Sequence, residues 1–345
     1  MLILRRFAIP AYLVACCAMM CGVPAMAGTY TYTTLDPPGY NNSTVNGIND
    51  MDQVVGEFAD TSGNVHGFVW SNGNFTKIDG PSGALIFMEA INANGIATGW
   101  YSVGAGGRVT FTYNTATSAM TLLNLKAKYH ASPSAINASG TILGNTEQRV
   151  ARNDYSWGGF TVAGATVTYL TPPGTGGNTA FNAINDLGVI VGGYRDGAGL
   201  HSFSYENGVY TTFDPNESTN DSAYFITSSG AIGGTFDGHG YVKKGSKITQ
   251  YDYPGTQTGF GYTGVIGVGE KGAVFGAWED SLDVSHGYVF VKGAYYNISI
   301  AGAQTTYVLQ VNKKDSIVGN YQIAGGQPYQ GFIAQCPAAQ RPCTE

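Results

Sequence analysis

Short runs of alternating apolar and polar residues, separated by Gly, Asn and Asp, return in the same arrangement seven times. One set reads Phe181-Asn182-Ala183-Ile184, then 189–194, then His201-Ser202-Phe203-Ser204-Tyr205, then Val209-Tyr210-Thr211-Thr212-Phe213. A period of two over such lengths predicts strands with two unlike faces. Between them, Asn185-Asp186-Leu187-Gly188 predicts a tight turn, 195–199 a looser loop, and Glu206-Asn207-Gly208 a hairpin. Asn-Gly favours the positive φ that a two-residue hairpin turn demands. Beyond residue 27 no segment carries a helical period.

Each set opens on an Ile-Asn-x-x-Gly pattern, starting at Ile48, Ile91, Ile136, Ile184, Ile226, Val268 and Val311. Copies five and six lack the Asn. A spacing of about 44 residues is that of a four-stranded propeller blade. Eight residues after each start stands a glycine, Gly56, Gly99, Gly144, Gly192, Gly234, Gly276 and Gly319. Glycine inside a strand predicts close backbone approach, here expected from the neighbouring blade near the crowded axis. Two residues further on lies an aromatic in six copies, Phe58, Tyr101, Tyr194, Phe236, Trp278 and Tyr321, with Thr146 in the third. Rings at one fixed position predict filling between twisted sheets. The seventh copy stops before its fourth strand, and 32–39 carry the matching segment at the other end of the chain. The expectation is an all-β, seven-bladed β-propeller with four antiparallel strands per blade, occupying 28–335, its last blade closed by the N-terminal strand.

The first 27 residues change the picture of location. Arg5 and Arg6 precede an almost wholly apolar run, and Ala25-Met26-Ala27 fits a small-residue cleavage site, so 1–27 reads as a bacterial signal peptide and the product as secreted or periplasmic. Leu13-Val14-Ala15-Cys16 offers a lipobox as the competing reading, weakened by the apolar residues that follow. No other segment reaches membrane-spanning length. Cys16, Cys17 and Cys21 leave with the leader, and Cys336 and Cys343 in the 336–345 tail are expected to pair. Loss of Arg5 and Arg6 leaves 15 basic against 23 acidic residues, a net charge of −8 that argues against nucleic acid or anionic membrane as a partner.

Candidate chemistry is sparse. His66, His201, His239 and His286 share one repeat position, each followed by Gly or Ser and then Phe or Tyr. Equivalent positions on separate blades spread around a ring, whereas a metal needs ligands converging on one ion, so a repeated structural hydrogen bond is expected and no metal or cofactor. These His-Gly-Phe, His-Ser-Phe and His-Gly-Tyr triplets, set in Ile-Asn-x-x-Gly repeats behind a leader, resemble the bacterial extracellular repeats of the HAF family. That family is named for His-Ala-Phe. Here Gly or Ser replaces the Ala, and copies two, three and seven lack the His. The resemblance implies repeat type and an extracellular setting and brings no catalytic residues.

Departures from the repeat are where a site can hide. The third copy has the longest inner loop, expected over 145–154, with Arg149 and Arg152. Lys126, Lys128, Tyr129 and His130 precede it, and Arg108 lies on the neighbouring loop. Together they form a candidate basic patch for an anionic ligand. Asp280 and Asp283, with Asp60 and Asp196 at the position of Asp280, form acidic loops where calcium is conceivable, although no known calcium spacing is present. Glu57, Glu147, Glu217, Asp221 and Glu279 are carboxylates expected on the open face. The functional expectation is a monomeric binding module for a glycan or an extracellular protein; the alternative is a polysaccharide hydrolase or lyase acting across the funnel.

Overall fold

A computed structural model of the chain describes residues 29–104, 107–125, 130–151, 154–171, 179–254, 262–337 and 343, with the backbone alone at 149–151 and 154–156. Seven four-stranded antiparallel sheets follow one another around a ring. The first blade is β2 (Ser43–Ile48), β3 (Val54–Ala59), β4 (Val65–Ser71) and β5 (Asn74–Ile78). Blades two to six are β6–β9 (86–122), β10–β13 (130–170), β14–β17 (179–213), β18–β21 (221–251) and β22–β25 (263–298). The seventh takes β26 (Thr305–Val311), β27 (Ile317–Gln322) and β28 (Gln330–Gln335) from one end of the chain and β1 (Thr31–Thr34) from the other. Thr31 stands opposite Gln335 and Thr34 opposite Phe332, so the ring is closed by the N-terminal strand as the split repeat predicts. Among the described residues the only helical pieces are two single 3₁₀ turns, and no helix is long and apolar enough to cross a membrane.

The aromatic two residues after the histidine position, present in every blade whether or not the His is, is the centre of its blade's core. Phe68, Phe111, Phe160, Phe203, Tyr241, Tyr288 and Phe332 are all fully buried. Burying each ring contributes roughly 1.5–3 kcal/mol. The six aromatics that follow the repeated glycine are buried as well, as is Thr146.

The glycine itself has a different reason from the one expected. A Cβ on Gly56, Gly192, Gly234 or Gly319 would lie 1.9–2.0 Å from the main-chain oxygen of Thr44, Ala180, Ser222 or Tyr307, each on the first strand of the same blade. The crowding therefore comes from within the blade, not from its neighbour. Its source is a β-bulge in every first strand, where the register slips by one residue immediately after the residue opposite the glycine. The bulge turns a carbonyl inward over the second strand, and only hydrogen fits beneath it.

The Asn of Ile-Asn-x-x-Gly does two jobs. Asn49 Oδ1 accepts the N–H groups of Met51 and Gln53, both at 3.0 Å, which shapes the turn. Its Nδ2 donates 3.0 Å to the main-chain oxygen of Asn92 in the next blade. Asn92, Asn137 and Asn185 repeat the link to Asn137, Asn185 and Thr227, and Asn312 returns it to Asn49 at 2.9 Å. Blades five and six, with Thr227 and Gly269 there, break the chain of links; at Gly269 the Asp315 carboxylate fills the space a side chain would need. At the far end of the chain Cys336 and Cys343 are bonded, their Cα atoms 5.7 Å apart.

The third blade has a longer ladder than its sequence suggests. The stretch 145–154, expected as a loop, continues the ladder instead, with β11 (Ile142–Ala151) and β12 (Asp154–Ala163) paired from Ile142 opposite Val162 to Ala151 opposite Asp154. Aromatic Tyr155 and Trp157 standing opposite Arg149 and Glu147 suit an extended two-stranded ribbon, so the backbone groups pair with each other and not with water.

Candidate functional site

The bulge residue of each blade lines the central channel. Going round the ring these are Asn46, Glu89, Ser134, Asn182, Tyr224, Ile266 and Leu309. Around them lies a cavity of about 430 Å³ that continues past a ring of Ile and Val to the turns carrying Asp50, Asp186 and Lys313. A bulge re-aims a side chain, and seven bulges at one level aim seven unlike side chains at one space. Five neighbours in the ring are polar and the other two apolar, so the channel has a polar arc facing an apolar one.

The polar arc is anchored to the blades. Asn46 Nδ2 donates at 2.8 Å both to Glu57 Oε2 and to the main-chain oxygen of Met88. Ser134 donates to the Phe181 oxygen at 2.7 Å and Asn182 to that of Ala223 at 2.7 Å. With the amide hydrogens of Asn46 spent in this way, the arc offers a ligand mainly oxygen acceptors.

Two carboxyls meet here. Glu57 accepts from Thr44 Oγ1 and Asn46 Nδ2, each at 2.8 Å. Burial pushes its pKa up to about 7, with the charge of Glu89 adding to the rise and hydrogen bonds from Thr44, Asn46 and the Met88 N–H opposing it. Burial likewise raises Glu89, against the Trp100 hydrogen bond and Arg108. Glu89 Oε1 accepts from Trp100 Nε1 at 2.8 Å, and Trp100 stacks on Phe87 with centroids 4.3 Å apart. On the Trp100 ring sits the Arg108 guanidinium, 4.4 Å from the centroid, and it also donates to Ser132 Oγ.

Among the described residues, Arg108 is the member of the expected basic patch tied to the channel, through Trp100 and Glu89. His130 is exposed at the start of β10 (His130–Ile136), its Cα opposite that of Glu147. Arg149 lies in β11, where its backbone alone is described. Lys126, Lys128, Tyr129 and Arg152 lie outside the described residues.

Each repeated histidine is held by carboxylates. His66 Nδ1 is 2.6 Å from Asp79 and Nε2 3.2 Å from Asp60. His201 sits 3.2 Å from both Asp214 and Asp196, His239 2.7 Å from Asp252, and His286 3.1 Å from Asp280. Burial alone would lower the pKa of His201, but Asp214 and Asp196 outweigh it and raise it. In the seventh blade Gln330 stands at the histidine position and donates to Asp36. The loop aspartates also accept backbone N–H groups, Asp60 from Ser62 and Asn64, Asp196 from Ala198 and Gly199, Asp280 from Leu282 and Val284. Those bonds give Asp60, Asp196 and Asp280 a part in shaping the loops.

Of the five carboxylates expected on the open face, Asp221 is not there. It is fully buried at the junction of blades four and five. Glu89, which completes the pair with Glu57, is absent from the sequence-based candidates. The signal that finds it is the residue two before each repeat start, the channel position that changes identity in every blade but for the two Asn.

No protein-family model matches the chain, and no curated protein does. Among solved structures, YCF48 bound to D1 peptide is similar with a TM-score of 0.55 and 11% identity, over 92% of this chain and 99% of that one. The Pyrococcus horikoshii acylaminoacyl peptidase gives a TM-score of 0.59 at 9% identity, over 85% of this chain and 52% of that one. A Mycobacterium tuberculosis puromycin-hydrolyzing peptidase gives 0.53 at 9% identity, over 88% and 56%. The chain therefore spans about half the length of the two peptidases. At such identities the likeness is one of fold.

Proposed function

We propose that this chain is an exported binding module that takes a glycan in its central channel. The observation that carries the reading is the ring of bulge residues, where a regular scaffold presents its least regular side chains to one cavity. Oxygen acceptors on one arc suit the hydroxyl donors of a sugar, and Ile266 and Leu309 opposite suit the C–H face of its ring. A volume of about 430 Å³ is the size of a small-ligand pocket. Export is supported by the leader-like 1–27 and by the Cys336–Cys343 bridge, which suits an oxidising compartment. Histidines at one repeat position, each bound to carboxylates, support reading the repeat as HAF-type.

Titration of residues 28–345 with neutral and acidic oligosaccharides, followed by calorimetry, tests the reading. Leu309→Trp, at an exposed channel position, is expected to block the space and weaken binding at least tenfold. Undiminished affinity in that variant places the ligand elsewhere, and silence toward every glycan turns the search to extracellular proteins.

A second reading, a polysaccharide hydrolase, draws on Glu57 and Glu89. A carboxyl that keeps its proton to about pH 7 beside another carboxyl is the division of labour glycoside cleavage uses. Reducing-end release that persists in both Glu57→Gln and Glu89→Gln removes this reading.

A further inference from the structure

At the junction of blades seven and one, Asp36, just past the fourth strand of the seventh blade, faces Ser43, the first residue of β2. This junction shows the arrangement in its plain form. Ser43 Oγ donates to Asp36 at 2.7 Å and accepts the Gly331 N–H at 2.9 Å, and Gln330 donates to the other oxygen of Asp36. Every group in that trio has a partner.

The junction of blades four and five has the same geometry and different chemistry. Asp221 takes the place of Ser43, Asp214 that of Asp36, and His201 that of Gln330. Asp221 Oδ1 accepts the Ser202 N–H at 2.6 Å, which is the structural duty that Ser43 performs for Gly331. Its second oxygen, Oδ2, is buried and has no hydrogen-bond partner. The equivalent residues of the other blades, Ser43, Ile86, Ala131, Thr179, Thr263 and Thr306, are buried and uncharged. Scaffold duty therefore does not need the carboxylate that only this junction has. An orphaned buried oxygen costs about 1–3 kcal/mol unless something binds it.

The surroundings supply that something. His201, Asp214 and Asp221 each bring one ligand atom, and the three atoms lie within 4.8 Å of one another. Beyond the imidazole, Asp196 Oδ1 is 3.2 Å from Nε2. An Nε2–H donated to Asp196 leaves the Nδ1 lone pair directed at the cluster, the carboxylate–histidine–metal arrangement of a tuned ligand. Bonds of about 2.1 Å ask the three donors to close in by roughly 1 Å, within side-chain reach. Asp214, partly exposed, leaves a way in from solvent.

We propose that His201, Asp214 and Asp221 form a binding site for a divalent transition metal, clamping blades four and five together. One imidazole with two carboxylates suits zinc, with water completing the shell. The expectation of no metal rested on histidines being spread around the ring; this site needs only one of them.

Zinc is the probe. Metal-stripped protein covering 28–345 is titrated with Zn²⁺ by calorimetry, in wild type and in Asp221→Ser and His201→Gln. Both substitutions copy the trio at the junction of blades seven and one, so they are expected to fold, which circular dichroism checks. The expected result is one zinc per chain in wild type, with affinity reduced at least about 100-fold in each variant and about 10-fold or more in Asp196→Asn. No binding by wild type, or binding that survives Asp221→Ser and His201→Gln undiminished, overturns the proposal. If one variant fails to fold, the other still decides.

Discussion

Glu57 lets the electrostatics of the channel be read as stability. Its pKa is about 7 in the folded chain against an ordinary 4.5, because burial penalises the charged form. Below about pH 4.5 the side chain is neutral whether the chain is folded or not, and folding pays no charging penalty. Between 4.5 and 7 the unfolded chain releases the proton while the folded chain keeps it, so stability falls as pH rises. Above 7 both forms are ionised and the loss is complete. At about 1.4 kcal/mol for each pH unit between the two values, the loss comes to about 3.5 kcal/mol. Glu57→Gln removes it. The amide nitrogen can donate to Thr44 Oγ1 and the amide oxygen can accept from Asn46, so the contacts survive. Urea unfolding at pH 4.5 and pH 8 is the assay. The variant is expected to match wild type within about 1 kcal/mol at the lower pH and to exceed it by up to about 3.5 kcal/mol at the higher one. Parallel pH profiles for the two proteins would refute the claim that Glu57 holds a proton at neutrality.

Three further outcomes test the scaffold. Asn137→Ala deprives the buried Asn185 carbonyl and the Thr141 N–H of their partners and should cost about 3 kcal/mol in urea unfolding. Gly234→Ala, whose Cβ would lie 1.9 Å from Ser222 O, should cost about 3 kcal/mol or more, whereas Gly63→Ala, with open space around it and a φ of +83°, should cost about 1 kcal/mol by thermal melting. The double change of Cys336 and Cys343 to Ser should lower stability by about 2 kcal/mol, with intact mass confirming the bridge in the parent.

Much of the fold was legible because the chain states it seven times. The strands of the fourth blade, β14 (Thr179–Ile184), β15 (Ile190–Arg195), β16 (Leu200–Glu206) and β17 (Val209–Phe213), fall within two residues of their expected bounds. The ring closure was legible because a strand missing at one end reappears at the other. What escaped was the bulge. A strict alternation of faces gives Asn46 or Glu89 no special direction, and the repeated glycine signals crowding without naming its source. A hairpin tip of polar and charged residues also lacks the apolar alternation that marks a strand, and so 145–154 reads as loop while its backbone continues a ladder. Glu57 stood among the candidate carboxylates, but its neighbour Glu89 belongs to the next blade, 32 residues on, and only the packing of one blade on the next brings the two side by side.

The repeat also separates scaffold from function at single positions, because each blade serves as a control for the others. Asn145 and Asn320 occupy the position of Glu57, and each binds the next blade's backbone with both ends of its amide, to Phe181 and to Val45. At Glu57 that task is divided, since Asn46 donates to the Met88 oxygen and Glu57 accepts the Met88 N–H. A neutral amide therefore suffices for structure, and the carboxyl that replaces it brings a desolvation penalty the fold does not need. The same comparison at Ser43 and Asp221 reaches the same conclusion at the far side of the ring. A costly group retained where a cheaper one visibly works is the pattern expected of a site under functional demand. Replacing either carboxylate with the residue its own sister blades use should leave the propeller standing and remove whatever the carboxylate is there to bind.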